Sequence, residues 1–213
     1  MPCNCCEITD HTFGEADAQA GLDRYRRRGP AAQTREILKA VRSRGLKDAT
    51  LLDIGGGIGA IHHELLQDAA IKATHVDASS AYLKAAEEEA SRRGHASRVR
   101  FMQADFTDVA SDLPPADIVT LDRVVCCYRD FRSLLMAAAG RTRRLLAISY
   151  PREIWYVQAV TSLMDLVQSL RRDPFRVFVH PIAEMDSLLT ANGMRRVSLK
   201  RLWVWEIALY SRA

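Results

Sequence analysis

From Ala49 onward, short apolar runs alternate with longer stretches in which apolar residues recur every three or four positions. The first spacing suits strands and the second amphipathic helices. Thr50 to Ile54, Lys72 to Val76, Val99 to Gln103, Asp117 to Leu121 and Leu145 to Ser149 read as strands. Helices fit between them over Ile58 to Asp68, over Ser79 to Arg93 and around Leu134 to Ala139, with Ser79 or Ser80 as an N-cap and Gly94 as a stop. Two further helices precede them: Ala16 to Arg28, ended by Gly29-Pro30, and Ala31 to Arg44 with Ile37, Leu38 and Val41 on one side. After Pro151 come a long apolar-rich helix over Glu153 to Leu170, a short extended run over Phe175 to Val179, and a helix over Ile182 to Ala191 stopped by Asn192-Gly193. Arg196 to Lys200 and Leu202 to Tyr210 read as a terminal hairpin on the sheet edge. Repeated β-α-β units of this length predict an α/β fold, a parallel sheet with helices on both faces. Residues 1–45 are expected to form a helical segment on the substrate side, and 46–213 the main domain with an insertion at about 151–181.

The densest turn in this pattern follows the first strand, where Leu51-Leu52-Asp53-Ile54 runs into Gly55-Gly56-Gly57-Ile58-Gly59. Such a loop lets a ligand approach the backbone, and the helix behind it aims its first amides at the same place. Strand, loop and helix make a nucleotide-type cofactor pocket. Gly55, Gly57 and Ala60 satisfy the G-x-G-x-x-G/A spacing of dinucleotide-binding folds. Carboxylates after three successive strands argue for another cofactor. Asp53 can reach a cationic group, Asp77 can accept from both hydroxyls of a ribose, and Asp105 lies beside Phe106 and Met102 where an adenine would sit. Plainer roles are open to each: a cap or ion-pair partner for Asp53, a helix cap for Asp77, a turn residue for Asp105.

This set resembles the Rossmann-like class of S-adenosylmethionine-dependent methyltransferases, with motif I in Leu51 to Gly59, motif II in His75-Val76-Asp77-Ala78-Ser79 and motif III in Gln103-Ala104-Asp105-Phe106. The resemblance implies a seven-stranded, mostly parallel sheet with an antiparallel C-terminal hairpin, and S-adenosylmethionine as cofactor. It implies cofactor contacts from Asp53, Gly55, Gly56, Gly57, Gly59, Asp77, Ala78, Asp105, Phe106 and Asp122. Glycine amides and the helix start would receive the carboxylate of the cofactor, and acidic side chains or carbonyls its ammonium.

Leu121 to Tyr128 contains no Asn-Pro-Pro-Tyr or Asp-Pro-Pro-Tyr, the run found where such enzymes methylate amino groups of DNA, RNA or glutamine. That segment, with Arg176 to His180, resembles magnesium-protoporphyrin O-methyltransferases, which esterify a porphyrin propionate. Asp122, Tyr128 and His180 are kept, while Cys127 stands where the first histidine of that family falls, in a register shifted by one residue. Tyr128, His180 and Cys127 are therefore the candidate reaction-centre residues. An ionised carboxylate needs no general base, and Arg123, Arg152 or Arg176 could orient it by paired hydrogen bonds. Tyr25, Tyr128, Tyr150 and Trp155 could line a flat apolar pocket or simply pack in the core, and His180 could be a structural histidine before Pro181.

With 30 basic and 26 acidic residues in 213, the net charge of +4 is too mild for a nucleic-acid partner, so a small-molecule acceptor is expected. No apolar run is long enough to span a bilayer and no signal pattern opens the chain, which makes a cytoplasmic protein the expectation. The five cysteines fall in two groups, and a disulfide framework is not expected. Cys3, Cys5, Cys6 and His11 are spaced more tightly than the usual zinc pair, and no metal site is expected. Cys126-Cys127 should bring one thiol to the pocket as a lining residue, a soft ligand, a base or a nucleophile. Trp203 and Trp205 suit either a dimer contact or packing on the sheet, so a monomer or a homodimer is expected. Two other functions compete with methyl transfer: a cofactor-binding regulator without catalysis, and a nicotinamide oxidoreductase. The second is opposed by the lack of a Tyr-x-x-x-Lys pair.

Overall fold

The computed structural model describes residues 14–68, 71–170 and 175–213. Cys3, Cys5, Cys6 and His11 lie outside the described residues. The strands are β1 (Thr50–Ile54), β2 (Lys72–Asp77), β3 (Val99–Gln103), β4 (Ala116–Asp122), β5 (Thr142–Pro151), β6 (Met194–Arg201) and β7 (Trp205–Arg212). They form one sheet in the order β3-β2-β1-β4-β5-β7-β6. The first five run parallel, and β7 enters antiparallel between β5 and β6, so the C-terminal hairpin occupies the edge. The helices are α1 (Glu15–Arg28), α2 (Ala32–Arg42), α3 (Ala60–Asp68), α4 (Ser80–Arg92), α5 (Phe106–Val109), α6 (Phe131–Gly140), α7 (Trp155–Leu170) and α8 (Ile182–Ala191).

Strand alternation divides the core between the two faces of the sheet. Leu52, Ile54, Val119, Leu121, Leu146 and Ile148 point to α6 and α8, where Phe131, Leu134, Leu135 and Leu189 close over them. Leu51, Ala73, Ile118, Leu145 and Ala147 point the other way, under Ile37, Leu38 and Val41 of α2 and Ile61, Leu65 and Leu66 of α3. Central strands buried on both faces are continuously apolar, which is why the chain carries runs such as Leu145 to Ile148. Phe175 to Val179 is not a strand: it pairs with no strand among the described residues, and Phe178 N donates to Cys126 O at 2.7 Å.

Helix α1 packs through Ala18, Leu22 and Tyr25 on Ala85 of α4. Their polar seam is Glu89, whose side chain is fully buried and accepts bonds from Arg26, Arg92 and Arg93 at 2.5–2.9 Å. Burial alone would raise its pKa, but bonds from Arg92, Arg93 and Arg26 hold it well below the usual carboxylate range. Glu89→Gln should lower stability by about 1.5–3 kcal/mol, towards the low end because the arginines are partly solvated. In urea unfolding the wild-type advantage should be full above the unfolded-state pKa of 4.5. It should shrink as pH falls below that value, because the unfolded chain takes up the proton first.

Candidate active site

The carboxyl ends of the parallel strands open into one cavity of about 570 Å³. Its floor is the β1–α3 loop, where Gly55 N donates to Val76 O at 2.7 Å and Gly57 N to Asp77 Oδ2 at 2.8 Å. Ser79 N donates to the other oxygen of Asp77 at 2.9 Å. Asp77 is thus fixed at the end of β2 with its carboxylate on the cavity wall. Burial pushes its pKa up to about 6, against the lowering effect of these backbone bonds. Ala78, Tyr82, Ala104 and Phe106 continue this wall.

The loop lies almost in contact with side chains beneath it. A Cβ on Gly56 would stand 2.7 Å from Asp53 Oδ2 and 2.8 Å from His75 Nδ1. Gly59 has a φ of 79°, and a Cβ there would overlap the His62 ring. Asp53 itself does not line the cavity. It shares the face of Leu51, so its side chain turns under α3, accepts from Thr120 Oγ1 at 2.7 Å and lies 3.2 Å from His62 Nδ1. Burial raises its pKa. Around it sit four buried imidazoles, with His62 and His75 joined Nδ1 to Nδ1 at 3.2 Å and His63 Nδ1 at 2.9 Å from His95 Nε2.

Asp105 also stays off the cavity wall. It caps α5, accepting from Thr107 N and Oγ1, and its Oδ1 accepts from Tyr128 Oη at 2.8 Å. Its neighbours Ala104 and Phe106 are the ones that face the cavity.

The opposite wall comes from the end of β4. Asp122 accepts from Ser149 Oγ at 2.6 Å and from Thr34 Oγ1 at 2.5 Å. The next residue, Arg123, takes a left-handed φ of 64°, with its N–H on Ser149 Oγ at 2.8 Å and its side chain half-exposed at the cavity. A non-glycine residue held in that region is strained, and such strain collects at functional sites. Cys126 and Cys127 follow, their sulfurs 3.9 Å apart and 3.4 and 3.5 Å from Arg123 O. The neighbouring thiol lowers the Cys127 pKa and raises that of Cys126. Tyr128 completes this wall.

Four residues expected at the reaction centre or acceptor are placed elsewhere. His180 does not reach the cavity; its Nε2 lies 3.1 Å from Val125 O and 2.9 Å from Tyr128 O, and its ring packs on Phe131 and Phe178. It pins the segment that carries Cys127 and Tyr128. Tyr25 is buried against α4, with its hydroxyl donating to Glu64 at 2.7 Å and Arg93 lying over its ring. Tyr150 is buried in the core on the α6 side. Arg176 alternates out of an extended run from which Phe175 and Val177 point in, and it donates to Phe175 O and Ser169 Oγ.

Residues 51–147 match the family model described as a methyltransferase domain. No curated protein sequence matches the chain. Among solved structures, the fold is similar to magnesium protoporphyrin IX methyltransferase (ChlM) from Synechocystis PCC 6803 with bound SAH, at 18% identity and a TM-score of 0.75, covering 97% of this chain and 99% of that one. An O-methyltransferase family protein from Burkholderia thailandensis matches at 16% identity and a TM-score of 0.74, over 97% of this chain and 62% of that one. The [4+2]-cyclase SpnF matches at 12% identity and a TM-score of 0.65, over 83% of this chain and 80% of that one.

Beyond the loop, the cavity is walled by residues that the sequence reading missed: Tyr156, Val157, Val160 and Met164 of α7, with Trp203 and Trp205 of the hairpin turn. Trp155, expected here, is 78% exposed. The missed signal was helical phase, since positions 156, 160 and 164 share a face four residues apart. His180→Ala should lower stability by about 1–3 kcal/mol in denaturant unfolding. Turnover should fall no further than the loosened Tyr128 segment accounts for. A loss of about a hundredfold or more at unchanged stability would instead mark His180 as a reacting group.

Proposed function

We propose that this chain is an S-adenosylmethionine-dependent methyltransferase that esterifies a carboxylate on a small, flat, largely apolar molecule. One observation carries the reading: a single cavity joins the glycine loop and Asp77 to an apolar chamber between α7, Tyr128 and the tryptophans of the hairpin turn. The loop end suits the cofactor, because Gly55 and Gly57 present backbone to the cavity, Asp77 offers a fixed carboxylate, and Val76, Ala78 and Phe106 make an apolar wall. Gly56 and Gly59 permit the loop its course, and Asp122 borders the same space. Asp53 and Asp105 support these contacts from outside the cavity, through the loop and through Tyr128.

When bound, the cofactor would supply a sulfonium-borne methyl group for transfer to the acceptor oxygen, its C–S electron pair remaining with sulfur. The protein's task is alignment and exclusion of water, and orientation alone can contribute on the order of 7–11 kcal/mol. Arg123, at the mouth, orients the ionised carboxylate, so no general base is required. Cys127 and Tyr128 bound the space in which the reacting atoms meet. The acceptor is a small molecule because the chamber is a pocket of ordinary ligand size, and the net charge of +4 offers no nucleic-acid track. Among the described residues no helix is long and apolar enough to cross a membrane.

The cyclase of the same fold shows why binding and turnover must be measured separately. Calorimetry should find S-adenosylmethionine bound and NAD not bound, with Asp77→Ala weakening the former at least about tenfold through loss of a charge-assisted hydrogen bond. Unchanged affinity in that variant would overturn the cofactor contacts. Methyl incorporation should then be screened across carboxylates, phenols, amines and thiols, porphyrins included. Carboxylates should be the accepted class, and Arg123→Ala should raise the acceptor KM while leaving cofactor affinity intact. Binding without incorporation into any class would favour a regulatory role instead. Full turnover after Cys126→Ser and Cys127→Ser together would assign the thiols to lining the pocket and not to chemistry.

A further inference from the structure

The polar layer under the glycine loop poses an electrostatic problem that hydrogen bonds within the protein leave unsolved. Asp53, His62 and His75 are all fully buried. His62 Nδ1 faces Asp53 Oδ2 at 3.2 Å and His75 Nδ1 at 3.2 Å, and one donor atom from each residue lies within 4.8 Å of the other two. A ring nitrogen carries either one proton or one lone pair. A proton on His62 Nδ1 serves Asp53 but leaves His75 Nδ1 with a contested partner. Without that proton, one on His75 Nδ1 can serve His62 but leaves Asp53 Oδ2 unserved, and with neither proton three lone pairs converge on one point. The far nitrogens of both rings, Nε2, are buried as well and meet no hydrogen-bond partner among the described residues. Enclosing this much uncompensated polarity is costly, and a cation at the convergence removes the cost.

We propose that Asp53 Oδ2, His62 Nδ1 and His75 Nδ1 bind a divalent transition-metal ion of the zinc type. Donors about 2.0–2.1 Å from a tetrahedral ion stand about 3.3–3.4 Å apart, close to the two separations found here. Two imidazoles and one carboxylate are a borderline donor set that favours zinc and its first-row neighbours, whereas magnesium and calcium select oxygen. Three protein ligands leave the fourth position to water. The second oxygen of Asp53 is already held by Thr120 Oγ1 at 2.7 Å, which supplies the outer support that orients a ligating carboxylate. The ligands come from β1, α3 and β2, the three elements that meet at the glycine loop. None of them lines the cavity, so the ion fastens the loop from below and takes no part in chemistry.

The test uses the full chain, stripped by a chelator and titrated with cobalt and then zinc. About one equivalent of cobalt per chain should bind, with the d–d absorption of a four-coordinate site and no sulfur-to-metal charge-transfer band. The same uptake should persist after Cys3→Ser, Cys5→Ser and Cys6→Ser together, and vanish in His75→Gln with unchanged far-ultraviolet circular dichroism. Zinc at a hundredfold excess over Kd should raise Tm by about 5–10 °C. Should His75→Gln not fold, histidine ring nitrogen spectra of the wild type decide, because zinc must move the Nδ1 resonances of two rings. Uptake below about 0.1 equivalent, uptake lost with the three cysteines, or unmoved ring resonances would each overturn the assignment.

Discussion

The close approach of one loop to the side chains beneath it governs this molecule. Gly56 and Gly59 lie so near Asp53, His62 and His75 that neither position has room for a Cβ. That contact lets the backbone after β1 settle low, so that Gly57 can donate to Asp77 and the cavity floor is left as bare backbone. It also explains why a polar group stands in the middle of an apolar face. Strand alternation sends Asp53 the same way as Leu51, into the layer under α3, and Thr120 from β4 fixes it there. The acidic residue nearest the glycines therefore acts on the pocket through the loop it carries.

The acceptor side follows a similar logic, with distant segments fixing a short irregular stretch. Ser149 of β5 holds both the Asp122 carboxylate and the Arg123 backbone, and Thr34 of α2 takes the other Asp122 oxygen. Those bonds keep Arg123 in a backbone conformation that it would not adopt in a free peptide. Beyond it, His180 holds the carbonyls of Val125 and Tyr128, while Asp105 takes the Tyr128 hydroxyl. Cys127 and Tyr128 thus reach the cavity on a turn whose shape is set by β5, α2, the segment before α8 and the start of α5. Helix α7 supplies the facing wall with one side of its surface and leaves Leu163, Leu166 and Leu170 exposed on the other.

Much of this was legible along the chain. Strands β1 and β3 fall on the residues that periodicity marked, and the terminal hairpin lies on the sheet edge where the break near Leu202 had put it. Local signals explain that success, because a strand's apolar run and a helix's caps act over a few residues. The failures were of direction. Tyr25, Tyr150, Trp155 and Arg176 have the right chemistry for an acceptor pocket, yet they point to α4, into the core, to solvent and away from the cavity, respectively. Their phase on each element contained part of the answer, as Tyr156 beside Trp155 shows. The partner surfaces that decide it come from elsewhere in the chain.

By itself the sequence determined the α/β alternation, the glycine loop and the carboxylate at the end of β2, since each depends on backbone geometry and hydrophobic period within a short stretch. Only the tertiary structure decided which carboxylates face the cavity. It also brought Asp53, His62 and His75 together across separations that match no ligand motif, and set His180 off the cavity, on the carbonyls of Val125 and Tyr128. Those outcomes depend on strands far apart in sequence lying side by side, where burial, strand parity and the nearest unpaired atom select one partner for each polar side chain.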